Sequence, residues 1–139
     1  LKSLLKGRVP YISPKEVKEQ LENDNIVMLD IRTDEEQKVS HIPGARMVSY
    51  ERFNVEDVSF IPKDDTVIVY CSVGYRSEKI GEKMQEMGYS HVFNLYGGIF
   101  EWKNEGFEVV SENGEKTDSV HTYNKAWSKY LENGIKVYD

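Results

Sequence analysis

The sequence predicts an α/β domain built around a largely parallel sheet. Three observations carry this. Residues 26–31 (IVMLDI) and 66–70 (TVIVY) are nearly continuous apolar runs rather than alternating ones, the pattern of strands buried on both faces. Helix-like segments alternate with such runs along the first 110 residues. The length, 139 residues, suits one domain with one hydrophobic core.

The elements follow in order. Residues 9–12 are a short apolar segment. Ser13 then reads as a helix N-cap, with Pro14 at the first helical position and Glu16 closing a capping box. Val17 and Leu21 share one face of that helix, and Asn23, Asp24 and Asn25 break it. The run at 26–31 is the first buried strand, with Asp30 and Arg32 at its end. A short acidic helix is expected around 33–39, then a turn at His41-Ile42-Pro43-Gly44-Ala45 and a short strand near 46–48. Residues 50–60 read as irregular or weakly helical. The turn at 62–65 leads into TVIVYC, the clearest strand of the chain. A helix is expected over 77–87, closed by Gly88. HVFNLYGG adds a strand and a Gly-Gly turn, and IFEWKNEG a last short helix, with Ile99 and Trp102 three apart.

Composition shifts near Ser111. Residues 111–119 are polar and turn-rich, while Val120, Tyr123, Trp127, Tyr130 and Leu131 recur at near-helical spacing. The organisation expected is a folded domain at 9–110, followed at 111–139 by a polar linker and an aromatic amphipathic extension. That extension reads as a stripe packed on the domain, with a partner-binding helix as the alternative.

Apolar residues make up 39% of the chain, charged residues 30%, and the net charge is −6. That balance argues against a broad nucleic-acid or anionic-membrane surface, both of which need a basic face. No apolar stretch is long enough to span a bilayer. A soluble protein is expected, cytoplasmic by default, with export left open because the chain opens on Leu1 rather than Met. The single cysteine excludes an internal disulfide and leaves the redox compartment open. His41, His91 and His121 have no metal-ligand spacing, so no metal is expected. Neither G-x-G-x-x-G nor G-K-[ST] occurs, which gives nucleotide binding little support. No cofactor is expected.

That cysteine, Cys71, carries the functional reading. It lies in CSVGYRS, between the strongest strand and a helix. A free thiol has a pKa of about 8.5, and a helix N-terminus or a nearby cation lowers it by stabilising the anion. The N–H groups of Ser72, Val73, Gly74 and Tyr75 are expected to curl toward the sulfur as an anion nest. Gly74 admits backbone conformations that side chains resist. Arg76 adds a forked, permanently charged donor, and Ser77 a hydroxyl for the helix cap or the sulfur. Taken alone, Cys71 would read as a small buried hydrophobe, Gly74 as a turn residue and Arg76 as a surface charge. Together, at a strand-loop-helix junction, they read as a nucleophile in its cup.

Four ordered pieces resemble the rhodanese-like family of sulfurtransferase domains: LDIR (29–32) with Glu36 as acidic partner, HIPGA (41–45), VYCSVGYRS (69–77) and LYGGIFEW (95–102). The resemblance covers roughly residues 9–110. It implies a rhodanese-like fold, a mostly parallel sheet with helices on both faces. It also implies a mechanism: the Cys71 thiolate takes the outer sulfur of a donor such as thiosulfate, and an acceptor, cyanide or another thiol, removes it. That is two-step covalent catalysis with a persulfide intermediate, in which Arg76 could hold an anionic donor. A protein thiol is a possible acceptor. A sulfur carrier or non-catalytic binding module on the same fold is the alternative. A phosphatase or arsenate reductase fits less well. Four residues separate Cys71 from Arg76, where cysteine-dependent phosphatases place five, and no further cysteine exists for an arsenate relay. Gln37, Ser40 and Ser49 depart from the family's commonest pattern. Asp30, Arg32 and His41 read as scaffolding rather than chemistry.

Overall fold

Ile26–Arg32 (β2) and Thr66–Tyr70 (β4) lie side by side and parallel, with Ile26 opposite Thr66 and Asp30 opposite Tyr70. They are the centre of a five-stranded sheet. In the computed structural model, which describes residues 9–21, 25–122 and 127–137, Tyr11–Ile12 (β1), Arg46–Ser49 (β3) and His91–Leu95 (β5) complete it in the order β1-β5-β4-β2-β3. Every pairing within it is parallel.

The pleat sends alternate side chains to opposite faces. Leu29, Ile31, Val67 and Val69 join Ile80 and Met84 of the helix Tyr75–Glu86 (α3) on one face. Met28, Ile68 and Tyr70 join Val17 of Pro14–Gln20 (α1) and Ile99, Phe100 and Trp102 of Gly98–Asn104 (α4) on the other. Both faces are covered, which is why the central strands read as nearly unbroken apolar runs. Each fully buried aliphatic side chain contributes about 1.5–3 kcal/mol of transfer free energy.

Helix starts follow their capping chemistry. Ser13 and Glu16 form the expected box at α1, and Thr33 and Glu36 form a second one at Asp34–Val39 (α2). Residues 50–60 contain a 3₁₀ turn at Val55–Val58, itself boxed by Asn54 and Asp57. The helix expected at 77–87 begins earlier, at Tyr75, because Gly74 adopts a left-handed conformation (φ 116°) that completes the turn there. Asn23 and Asp24 lie outside the described residues.

Beyond residue 110 the chain departs from an amphipathic helix. Val109–Val110 (β6) pairs antiparallel with Lys116–Thr117 (β7), and Ser119–His121 (β8) pairs parallel with Ile135–Val137 (β9). Between them, Trp127–Tyr130 is a single 3₁₀ turn. Tyr123 lies outside the described residues. The near-helical spacing misled because Val120 sits in a strand while Leu131 follows the 3₁₀ turn; both enter the core beside Trp102. The segment is tied to α4 through Asn104. Its Oδ1 accepts from Glu132 N at 2.6 Å and Asn133 N at 3.0 Å, and its Nδ2 donates to Tyr130 O at 3.0 Å.

Candidate active site

Cys71 directly follows β4, at the C-terminal edge of the sheet between β2 and β5. In open α/β sheets that edge is where ligands bind. Two glycines shape the turn. Gly98 (φ 62°) lets α4 approach so closely that a Cβ there would stand 2.4 Å from Cys71 O and 2.5 Å from Ser72 O. The opening amides of α4 use that closeness: Ile99 N donates to Cys71 O at 2.9 Å and Phe100 N to Ser72 O at 3.2 Å. The loop carbonyls are thereby drawn toward α4. Gly74, at the N-cap of α3, turns its N–H onto Cys71 Sγ at 3.1 Å.

Of the four loop amides that the sequence aims at the sulfur, the structure puts Gly74's on it. The Ser77 hydroxyl stands 3.5 Å away. Helix capping sharpens the picture. The starts of α1, α2 and the 55–58 turn are all boxed by side chains, and α4 spends its first amides on the loop. α3 has no side-chain cap. Its positive end, beginning four residues after the thiol, is left for an anion. Cys71 itself is fully buried.

Arg76 turns inward rather than toward the loop's mouth. Its Nη1 and Nη2 donate to Glu36 Oε1 and Oε2 at 2.7 and 2.9 Å, and Nη2 also to Ser72 Oγ at 2.9 Å. The Ser72 hydroxyl donates to Glu36 Oε2 at 2.8 Å, and Thr33 N and Oγ1 reach Oε1 at 3.1 and 3.0 Å. Burial alone would push the Glu36 carboxyl up. The Arg76 hydrogen bonds and charge, with the charge of Arg32 and the Thr33 amide, overcome this and hold it at about 2. For Arg76, burial acts to lower the pKa, but Glu36 and the Cys71 thiolate outweigh it and the pKa rises. With its terminal nitrogens on Glu36, Arg76 offers the sulfur a nearby charge, not the open fork expected for a bound donor.

Asn94 of β5 is a site residue that sequence reasoning missed. Fully buried, it donates through Nδ2 to Gly74 O at 3.0 Å and to Glu78 Oε1 at 3.4 Å, and accepts from Ser77 Oγ at 2.6 Å. One side chain thus positions the loop glycine and the hydroxyl beside the sulfur. No spacing in the sequence points to it, because its partners are 16 to 20 residues away. For Glu36 a signal did exist: Thr33-x-x-Glu36 is a capping-box pattern.

Asp30 and Arg32 form a buried hydrogen-bonded ion pair. Arg32 Nε and Nη2 donate to Asp30 at 2.8 and 2.7 Å, and the Tyr70 hydroxyl donates to the same carboxylate at 2.7 Å while accepting from Ile42 N at 3.0 Å. Gln37 Nε2 reaches Asp30 O and Arg32 O at 3.1 and 3.2 Å, which accounts for a polar residue at that buried position. His41 holds its turn through its backbone, exchanging two 2.9 Å hydrogen bonds with Val110. Its buried imidazole Nδ1 has no hydrogen-bond partner among the described residues. Tyr75 is half-buried, and Lys79 Nζ lies 5.5 Å from its ring centre. Among the described residues, no helix is long and apolar enough to cross a membrane, and no group of three or more His, Cys, Asp or Glu could hold a metal ion.

The family model of the rhodanese-like domain matches residues 13–105. The chain belongs to the rhodanese-like family. The matched span of this rhodanese-like domain includes Cys71, its loop, Glu36, Asn94 and α4. A sulfurtransferase of Allochromatium vinosum is 33% identical over 93 residues, which are 67% of this chain and 86% of that protein. A tRNA uridine(34) hydroxylase of Streptococcus sanguinis is 40% identical over 94 residues, 64% of this chain but 29% of the hydroxylase. Among solved structures, a rhodanese-like domain protein from Staphylococcus aureus superposes with a TM-score of 0.63 at 29% identity, covering 74% of this chain and 100% of that one.

Proposed function

We propose that this rhodanese-like domain is a sulfurtransferase working through a persulfide on Cys71. The thiolate attacks the outer sulfur of a donor such as thiosulfate; the donor's S–S bond breaks and sulfite leaves with the electron pair. An acceptor nucleophile then attacks the outer sulfur of the persulfide, the Cys71 Sγ–S bond breaks, and the thiolate returns. With cyanide the product is thiocyanate; with a thiol it is a new persulfide. Two displacements at one residue predict ping-pong kinetics.

The observation that carries this reading is the placement of Cys71 Sγ on the Gly74 amide, 3.1 Å away, before the uncapped start of α3. Preorganised amides and the helix dipole stabilise an anionic sulfur without a metal or a separate base. Cys71, Gly74 and Ser77 are the residues proposed to touch the reacting sulfur. Ser72 and Arg76 position the loop and supply charge, and Val73 and Tyr75 shape its approach. The domain itself is proposed to span residues 9–110, with 111–139 as its extension.

Intact-mass spectrometry after thiosulfate, then after cyanide, tests the reading. A gain of one sulfur on the wild type, its loss with cyanide, and no gain in Cys71→Ser are expected. An unchanged wild-type mass overturns it. The complete burial of Cys71 favours a second reading, a sulfur carrier or binding module in which the loop yields only to a docked partner. That reading expects sulfur on Cys71 to persist against cyanide and leave only to a protein thiol.

A further inference from the structure

Beside the sulfur loop lies a groove of about 780 Å³. Val73 and Tyr75 form its loop end. Tyr96, Phe100 and Tyr130 of the 3₁₀ turn add its aromatic walls. Tyr96 and Tyr130 leave 55% and 51% of their surfaces exposed. Glu101 and Glu132 also line it, and among the described residues neither is in an ion pair. Glu105, one turn beyond Glu101, is pushed up by burial, then by the Glu101 charge and a hydrogen bond with the Glu101 side chain. Among the described residues of the lining, the cation is Lys129, with Nζ 5.2 Å from the Tyr130 ring centre.

A groove of this size holds a drug-sized body. An inorganic sulfur donor would leave most of it empty, gain nothing from the tyrosine walls, and meet two like-charged carboxylates. An extended peptide fits each feature. Its apolar side chains cover aromatic surface that water otherwise wets, and its cations meet the carboxylates.

We propose that the groove seats an acceptor-protein segment that carries a cysteine flanked by an apolar residue and by Lys or Arg. The inference rests on the persulfide reading and names the acceptor class for it. The segment's thiolate, its proton already released to solvent, attacks the outer sulfur of the Cys71 persulfide. The bond between the two sulfurs breaks, Cys71 departs as thiolate, and the segment leaves as a persulfide.

The probes are two short capped peptides of equal length, each with one cysteine and one phenylalanine, flanked in one by lysines and in the other by glutamates. Cys71 is first loaded with sulfur, checked by mass, and discharge to each peptide and to cyanide is timed. The lysine peptide should discharge the persulfide at least about tenfold faster than the glutamate peptide, with the advantage shrinking in high salt. Glu132→Gln and Tyr130→Ser should each cut the lysine-peptide rate by about three- to tenfold and leave cyanide discharge unchanged. Equal rates for the two peptides, or variants that alter both acceptors alike, overturn the groove. Binding is read separately, by fluorescence anisotropy of a labelled serine version of each peptide on Cys71→Ser protein; failure to prefer the lysine peptide there also overturns it. Failure of sulfur loading overturns the persulfide reading instead, and the anisotropy still decides the groove.

Discussion

Both terminal nitrogens of Arg76 meet both carboxylate oxygens of Glu36, at 2.7 and 2.9 Å, inside the protein. The pair, 40 residues apart in sequence, joins the start of α2 to the start of α3. Glu36 does this while closing its own capping box with Thr33. Removing the carboxylate charge leaves a buried guanidinium facing a neutral amide. Glu36→Gln should therefore lower unfolding free energy by about 3–5 kcal/mol, measured by urea denaturation at neutral pH. A change within experimental error would mean that solvent reaches Arg76.

The same pair sets an acid limit. The Glu36 carboxyl sits at about 2 in the fold against an ordinary 4.5. The folded protein binds fewer protons at this site than the unfolded chain, so the stabilisation is complete above about 4.5. It drains as pH falls from there toward 2, by about 3 kcal/mol in all. Urea midpoints of wild type and Glu36→Gln should converge across that window. Parallel pH profiles would contradict the assignment.

Gly98 and Gly114 offer a controlled comparison. Both have positive φ, 62° and 84°, but a Cβ at Gly114 meets nothing within 4 Å, whereas at Gly98 it would strike backbone atoms of Cys71 and Ser72. Gly114→Ala should cost about 1–2 kcal/mol of left-handed strain. Gly98→Ala should cost more and also abolish sulfur loading, because the loop must move off α4. Thermal melts alongside mass-detected persulfide formation separate strain from misplacement.

Asn94→Ala should slow sulfur uptake about tenfold, the equivalent of about 1.4 kcal/mol, by releasing Gly74 O and Ser77 Oγ together. Ser77→Ala in the Asn94→Ala background should add less than it does alone, since both act through one network. Additive effects would show that Asn94 does not act through Ser77.

Ending the chain at residue 110 removes Val120 and Leu131 from the core and strips β6 of its partner. Two buried aliphatic side chains alone account for about 3–6 kcal/mol. The shortened protein should melt well below the full chain in calorimetry. Equal melting temperatures would mean that the extension adds no packing.

Much of this fold could be read from local chemistry. The strands at 26–32 and 66–70 announced themselves by apolar runs, and Ser13-Pro14-x-Glu16 spelled its own helix start. Cys71, Gly74 and Ser77 were legible because a strand, a glycine and a helix meet there in sequence. Arg76 was legible as a charge but not as a partner of Glu36, since pairing across 40 residues leaves no local trace. Asn94 was hidden for the same reason. The extension misled because apolar residues at roughly helical intervals can equally be spread over a strand, a tight turn and a loop, as Val120, Tyr130 and Leu131 are. Which of these forms depends on contacts with α4 and Trp102.

Helix α4 is a seven-residue strut clamped at both ends by distant chain. Its front amides grip the sulfur turn, and Asn104 at its rear grips the strand-bound tail. A load that pries the tail away therefore pulls on the seat of the thiol.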